Sequence, residues 1–259
     1  MADEPTVVVE RAGAVATVRL NRPAAANALT REARSELARA LRDTGRDPAV
    51  RCIVLAGAGR HFCAGQDLRE EGGLDDAAAV IRDGYAPIIR GITDSPKPVL
   101  AAVNGAAAGA GAALMLACDM RILADDATVV MAFSSIALVP DSGASWFLAR
   151  QVGYQRAFEL CATGRRVPAD EALAIGLCER VVPAADLAGE AAALAETLAG
   201  RPPLALGFTK RLLRRSLTAG LDEVLELEAQ LQRASSATAD HREGIAAFLE
   251  KRAPRFEGR

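Results

Sequence analysis

Two loops and one carboxylate are where chemistry could reside in this sequence. The loops are Phe62-Cys-Ala-Gly-Gln-Asp67 and Asn104-Gly-Ala-Ala-Ala-Gly-Ala-Gly111. Each follows an apolar run, is built largely of Gly and Ala, and precedes a helical pattern. Small residues let a ligand touch the backbone, and free N–H groups at a helix start stabilise developing negative charge. Facing each other, two such loops would form an oxyanion hole. The alternative is that Gly and Ala merely let helix and strand pack closely. The carboxylate is Asp141, ahead of Ser142-Gly143 and a helical stretch at Trp146. That position suits either acid–base catalysis or a helix N-cap.

Other chemistries lack their residues. Gly109 and Gly111 are spaced for a dinucleotide fingerprint, but Leu114 occupies the third glycine position. There is no phosphate-binding GxxxxGK[ST] loop, and Gly143-Ala-Ser145-Trp-Phe147 lacks the second glycine of a nucleophile elbow. His61 and His241 leave little room for a Ser-His-Asp triad. Cysteines 52, 63, 118, 161 and 178 are odd in number and contain no CxxC pair, so reduced intracellular thiols, rather than a zinc site or disulfides, are expected.

The elements that must position the loops can be read from pattern. Val7–Val9 and Val15–Leu20 flank Arg11-Ala-Gly13 as a hairpin. Thr30 can cap a helix to about Thr44, with Ala33, Leu37, Ala40 and Leu41 on one face. Cys52–Leu55 reads as a buried strand, Asp76–Ile92 as a helix, and Val99–Val103 as a strand leading through Gly105–Gly111 into a helix ending near Cys118. Met120–Leu123 and Thr128–Met131 read as short strands, and beyond them the pattern is helical apart from Glu179–Val182. Strands alternating with helices argue for an α/β architecture with parallel pairing. The boundary is placed at Arg201-Pro-Pro203, dividing an α/β core (1–200) from a helical segment (201–259) with helices at Leu204–Leu217, Leu221–Arg233 and Asp240–Lys251.

Length and charge set limits. A chain of 259 residues, 51% apolar and 25% charged, can bury one large core. The formal charge of −2 argues against a surface that coats nucleic acid or adheres to membranes. The N-terminus has no basic region leading into an apolar run, so no signal peptide is read there. Pro98–Cys118 is 21 residues without a charge and contains Gly105-xxx-Gly109, yet its Pro, Asn104 and many Ala and Gly favour a buried strand–turn–helix over a membrane span.

Four segments together carry a family resemblance: Asn21-Arg-Pro23, Phe62-Cys-Ala-Gly-Gln-Asp67, Lys97-Pro-Val-Leu-Ala-Ala-Val-Asn-Gly105 and Ala132-Phe-Ser-Ser-Ile-Ala-Leu-Val-Pro-Asp141. In order, and with the ending Ala239–Arg252, they resemble the enoyl-CoA hydratase/isomerase (crotonase) superfamily over essentially the whole chain. Within it, the Cys-Ala-Gly-Gln-Asp loop and the Pro-Asp-Ser-Gly turn look most like the ring-1,2-epoxyphenylacetyl-CoA isomerases of bacterial phenylacetate degradation. The fold implied is a crotonase-like spiral of ββα units with a C-terminal helical trimerisation segment.

The resemblance implies that the backbone N–H groups of Gln66 and Ala110 form the oxyanion hole. It implies an acyl-CoA substrate contacted by Ala24, Ala26, Ala64, Gly65, Asp67, Leu68 and Gly109, with no metal and no cofactor beyond the coenzyme A of the substrate. Asp67 could equally hold loop geometry, and Cys63 and His61 read as packing or structural residues. Family hydratases place glutamates where this chain has Ala113 and Phe133, which leaves Asp141 as the acid/base. The paired glycines that commonly follow that aspartate are Gly143-Ala144 here, a change that could narrow or shift the pocket.

Residues 201–259 carry eleven Lys/Arg against eight Asp/Glu. The run Lys210–Arg215 reads as a solvated helical face, and it and Lys251-Arg252 compete as partners for the coenzyme A phosphates. The expected activity is isomerisation of an acyl-CoA, either ring-epoxide phenylacetyl-CoA to oxepin or a 3-enoyl to 2-enoyl shift. Hydration, and a non-catalytic RNA- or protein-binding relative, are the alternatives. The resemblance implies a cytoplasmic homotrimer or a hexamer of two trimers, and Leu212, Leu213, Leu217, Leu221, Leu225, Leu227 and Leu231 exceed what a short tail can bury alone.

Overall fold

Valine-rich segments at the N-terminus pair first. Strands β1 (Val7–Ala12) and β2 (Val15–Leu20) form an antiparallel hairpin turned at Gly13, whose φ of +57° is left-handed. The computed structural model describes residues 4–70 and 76–259. Helix α1 (Arg31–Arg46) starts at Thr30, whose hydroxyl accepts the Ala33 N–H at 3.2 Å. Its apolar face returns the chain to β3 (Cys52–Gly57), which is buried along its whole length and lies parallel to β2.

Next come α2 (Ala77–Ala79), a π-helical segment (Val80–Tyr85) and α3 (Ala86–Thr93), end to end. The sequence pattern predicts an unbroken helix here; six residues of it are wound as π instead. Strand β4 (Val99–Val103) runs parallel to β3, and β5 (Ala106–Ala108), a strand of three alanines, passes directly into α4 (Ala110–Ala117). The charge-free stretch is thus strand, turn and helix, and no helix among the described residues is long and apolar enough to cross a membrane.

Strand β6 (Met120–Ala124) adds to β4, and β7 (Thr128–Val130) pairs parallel to β5. Helices α5 (Ala144–Val152) and α6 (Tyr154–Thr163) precede β8 (Arg166–Pro168), which lies antiparallel to β7 in a stretch whose pattern predicts helix. After α7 (Ala169–Ala174), β9 (Arg180–Val182) completes the main sheet, followed by α8 (Leu187–Ala199), α9 (Pro203–Ser216), α10 (Leu221–Ser236) and α11 (Ala239–Glu250). The main sheet has the order β1-β2-β3-β4-β6-β9 and the small one β5-β7-β8.

The Lys210–Arg215 run is not simply a solvated face. Lys210 donates to the Ile92 and Lys97 carbonyls at 2.7 and 3.0 Å and pairs with Asp119 at 2.7 Å. Arg214 reaches the Ala117 carbonyl and the same Asp119. Lys210 thus docks α9 on the carbonyl end of α3 and Arg214 on that of α4, where a positive charge offsets the helix dipole. On the other side of α9, Arg215 pairs with Glu223.

Candidate active site

The two glycine- and alanine-rich loops meet as short parallel strands. Phe62 and Cys63 both donate to the Ala106 carbonyl at 3.1 Å, and Ala108 donates back to Cys63 at 2.9 Å. On its other edge the first loop is bonded to residues 26–29. Ala64 donates to Ala26, Leu29 to the Gly65 carbonyl, and Asp67 to the Leu29 carbonyl. Three segments far apart in sequence therefore form one small ladder, with the Gly65–Gln66 peptide in its middle.

Glycine is required where these loops touch. A Cβ on Gly111 would lie 2.2 Å from the Cys63 carbonyl oxygen, an impossible contact. A Cβ on Gly65, whose φ is +90°, would lie 2.8 Å from the Ala108 oxygen and 3.2 Å from the Ala110 nitrogen. The close packing that glycine permits and the exposure of backbone amides are the same geometry here, so the two readings of the loops are not exclusive.

Among the described residues, neither the Gln66 N–H nor the Ala110 N–H donates to a protein acceptor. Ladder bonding takes up the amides of Ala64 and Asp67 but not that of Gln66. Gly109, the residue after β5, donates to Val130 at 2.9 Å, so Ala110 carries the first unpaired amide past β5 and is the first residue of α4, where an N–H has no intrahelical partner. Two unpaired amides at the junction of two loops, one of them at a helix N-terminus, suit a developing oxyanion.

The remaining residues of the sequence-predicted set surround this point unevenly. Ala26 and Ala64 are joined by their backbone bond, and Ala24 sits in the 3-10 turn Pro23–Ala25 just before them. Ala24, Ala64 and Leu68 face solvent, Ala26 and Gly109 are half-buried, and Gly65 is buried. Asp67 is buried and both its oxygens serve the loop. Oδ2 pairs with Arg22 at 2.9 Å and Oδ1 accepts the Arg69 N–H at 3.1 Å. The Arg22 hydrogen bond, with help from Arg69, holds its carboxyl below the ordinary 3.8.

Asp141 is half-buried, and its backbone carbonyl, not its side chain, accepts the Ala144 N–H at 2.8 Å. The N-cap of α5 is Gly143 and no side chain caps that helix, so the capping role open to Asp141 in the sequence is overturned. The cause is backbone direction: Ser142 and Gly143 have φ of +51° and +80°, a left-handed pair that turns the chain before the helix starts. The carboxylate accepts only the Ser142 hydroxyl, at 2.8 Å, among the described residues. Burial raises its pKa above 3.8, and the Ser142 bond opposes that shift. Ser142 itself is a buried non-glycine residue in a strained conformation. Ala113, inside α4, and Phe133, in the 3-10 turn Ala132–Ile136, are buried and carry no acid.

Several supporting residues are not singled out by the sequence pattern. Asn27, 1% exposed, accepts the Arg22 N–H and donates to the Ala58 and His61 carbonyls, fastening the Asn21-Arg-Pro23 turn to the first loop. Arg34 and Tyr85 both donate to the Gln66 side-chain oxygen. The one signal for Arg34 is its place beside Leu37 and Leu41 on the apolar face of α1. Cys63 is fully buried and its thiol is pushed up to about 12 by desolvation, so it packs and does not ionise. Residues 71–75, within the stretch Arg69–Tyr85 that follows the first loop, lie outside the described residues. Of the candidate coenzyme A cations, Lys210 and Arg214 are engaged with the core and Arg252 pairs with Glu243 and Glu250, while Lys251 is exposed at the end of α11.

A family model described as enoyl-CoA hydratase/isomerase matches residues 10–259. The chain is 42% identical over 250 residues to the 1,2-epoxyphenylacetyl-CoA isomerase of Escherichia coli, covering 95% of each. It is 43% identical over 256 residues, 98% of each chain, to a Rhodobacter capsulatus protein named "Probable enoyl-CoA hydratase". The solved structure of an enoyl-CoA hydratase from Bacillus anthracis superimposes with a TM-score of 0.92 at 35% identity, covering 98% of this chain and all (100%) of that one.

Proposed function

The chain belongs to the enoyl-CoA hydratase/isomerase family and has the crotonase fold, and from that premise we propose that it isomerises acyl-CoA thioesters, without any cofactor, by one carboxylate and two backbone amides. The observation that carries this reading is the lone Asp141, with Ala113 and Phe133 at the two positions where family hydratases hold glutamates. The E. coli relative's name supports the choice.

In this mechanism the thioester oxygen accepts the Gln66 and Ala110 N–H groups. Asp141 removes a proton from the carbon next to the carbonyl, and the amides hold the dienolate oxygen as charge develops there. The same carboxyl then returns the proton two carbons further on, which moves a double bond from position 3 to position 2. One acid suffices because the proton that leaves is the proton that returns. Opening a ring epoxide of phenylacetyl-CoA to its oxepin is likewise a rearrangement with no atom gained or lost, and is the first substrate we assign. Ala24, Ala26, Ala64, Gly65, Asp67, Leu68 and Gly109 are assigned to the substrate's surroundings.

Hydration is the second reading, favoured by relatives named as hydratases. It needs a positioned water and a proton donor, for which Ala113 and Phe133 offer nothing. Purified protein given crotonyl-CoA, a 3-enoyl-CoA and the ring epoxide separates the two: isomerisation of the latter two with negligible hydration is expected. Rapid hydration with 3-enoyl-CoA untouched would overturn the proposal, and salt-sensitive RNA binding without turnover would favour a non-catalytic role.

We further assign a cytoplasmic trimer or a hexamer of two trimers. Leu213 on α9, Leu217 just after it, Leu221 and Leu225 on α10, and Phe248 and Leu249 on α11 are exposed in the single chain. Sedimentation at micromolar concentration should give no monomer, and a stable monomer would remove this assignment.

A further inference from the structure

The Gln66 side chain is engaged by two donors, although the role proposed for this residue is carried by its backbone N–H alone. Its Oε1 accepts the Tyr85 hydroxyl at 2.8 Å and an Arg34 guanidinium N–H. Arg34 can only donate, so the amide oxygen must face it and Tyr85 must donate as well. The same guanidinium nitrogen reaches the Leu29 carbonyl at 3.3 Å, the carbonyl that also receives the Asp67 N–H in the ladder around Gln66.

We infer that Tyr85 and Arg34 are positioning residues of the oxyanion hole: they fix the Gln66 side chain and, through it, the direction of the Gln66 N–H. The inference rests on the backbone oxyanion hole of the proposed function.

Three features make this cluster costly unless it serves the loop. Arg34 is 3% exposed, and its one carboxylate partner among the described residues, Glu70, is at 4.0 Å, so a buried cation is left without a close counter-charge. Its place in α1 is one that an apolar residue would fill more favourably. Second, Gly84 makes room for it, because a Cβ there would lie 2.8 Å from the guanidinium Nε. Third, Tyr85 ends the π-helical segment. An extra residue in a helical turn rotates the next turns by about 100°, and such π-segments concentrate at functional sites. Tyr85 is 2% exposed, and burial raises its hydroxyl pKa, so it remains a donor. The guanidinium carbon lies 5.3 Å from the Tyr85 ring centroid, which joins the two anchors to each other.

The test uses Tyr85→Phe, which keeps the ring, Gln66→Met, which keeps the backbone amide, and the double variant. The probe is 4-dimethylaminocinnamoyl-CoA, whose absorbance moves to longer wavelength when its carbonyl is polarised. For Tyr85→Phe we expect probe affinity and substrate KM within about twofold, a smaller red shift, and kcat lowered by about 5- to 20-fold, a fraction of what losing an oxyanion donor costs. Because Tyr85 acts through Gln66, adding Tyr85→Phe to Gln66→Met should change neither red shift nor kcat further. An undiminished red shift and kcat in Tyr85→Phe, or an equal loss in both backgrounds, would overturn the inference. If Gln66→Met does not fold, the Tyr85→Phe spectrum and kcat decide alone. A wild-type protein that binds the probe without any red shift would remove the oxyanion hole itself, and this inference with it.

Discussion

A side chain on Gly65 would stand 3.2 Å from the nitrogen of Ala110. One donor loop thus reaches the other only because a hydrogen replaces a methyl group at this position. Gly65→Ala should therefore act twice. The φ of +90° strains any L-residue, and the methyl group crowds both the Ala108 carbonyl and the amide that receives substrate charge. We expect a loss of about 1–3 kcal/mol in chemical denaturation, and turnover lowered by about 10²-fold or more in the folded fraction. Normal kcat in a folded Gly65→Ala protein would separate Ala110 from the chemistry.

Asp141→Asn should abolish the proton transfer and leave the fold alone. The side chain caps nothing, so neither Asn nor Ala at this position should lower the melting temperature appreciably. Turnover should fall by about 10²-fold or more in both, with probe binding retained. A large drop in melting temperature for Asp141→Ala, with activity intact in what remains folded, would return this residue to a structural role.

The two loops stand out in the sequence as glycine and alanine runs between strand and helix, a pattern that close packing alone also explains, and Asp141 stands out through the family resemblance once Ala113 and Phe133 are seen to lack acids. The cap is a fair expectation, since Asp before Ser-Gly and a helix is common there, but the left-handed Ser142 is invisible in composition. Strand β5 is not legible: three alanines have no β-propensity, and they form a strand because β7 and the first loop lie on either side of them. Strand β8 is only Arg166–Pro168 and depends on β7 in the same way. The cationic run in α9 misleads because charge on a helix usually means solvent, whereas Lys210 and Arg214 here meet carbonyls and a carboxylate at the core's edge.

The pH dependence of turnover is set by the surroundings of Asp141. Burial raises its pKa above 3.8, so the acid limb of kcat/KM should have its midpoint above the ordinary carboxylate value. The Ser142 hydroxyl bond lowers it, so Ser142→Gly, which also suits the positive φ, should move that limb to higher pH. For stability the sign is opposite to that of an ion-paired acid. Between 3.8 and the raised native value the folded state holds a proton that the unfolded chain has released, so stability falls as pH rises through that window. A pH profile of Ser142→Gly identical to wild type would count against Asp141 as the titrating group.

Asp119 should matter for stability and not for catalysis. It pairs with Lys210 and Arg214 and accepts the Val99 N–H. Asp119→Ala leaves the 9%-exposed Lys210 ammonium without its carboxylate, at a cost of about 2–4 kcal/mol in denaturant unfolding. KM for the acyl-CoA should be unchanged in the folded protein at low temperature. A raised KM with normal stability would mean that these cations serve the coenzyme A phosphates.

Main-chain donors cannot be deleted by any point substitution short of proline, because every other residue carries the same N–H. In this chain both proposed oxyanion donors are of that kind, and the ladder that fixes them is itself backbone to backbone. Heritable change therefore reaches the polarising half of such a site only by moving the chain, whereas the acid can be gained, lost or relocated one codon at a time. Divergence of reaction among proteins built this way is expected to be written in where the carboxylates stand, around amides that selection leaves in place.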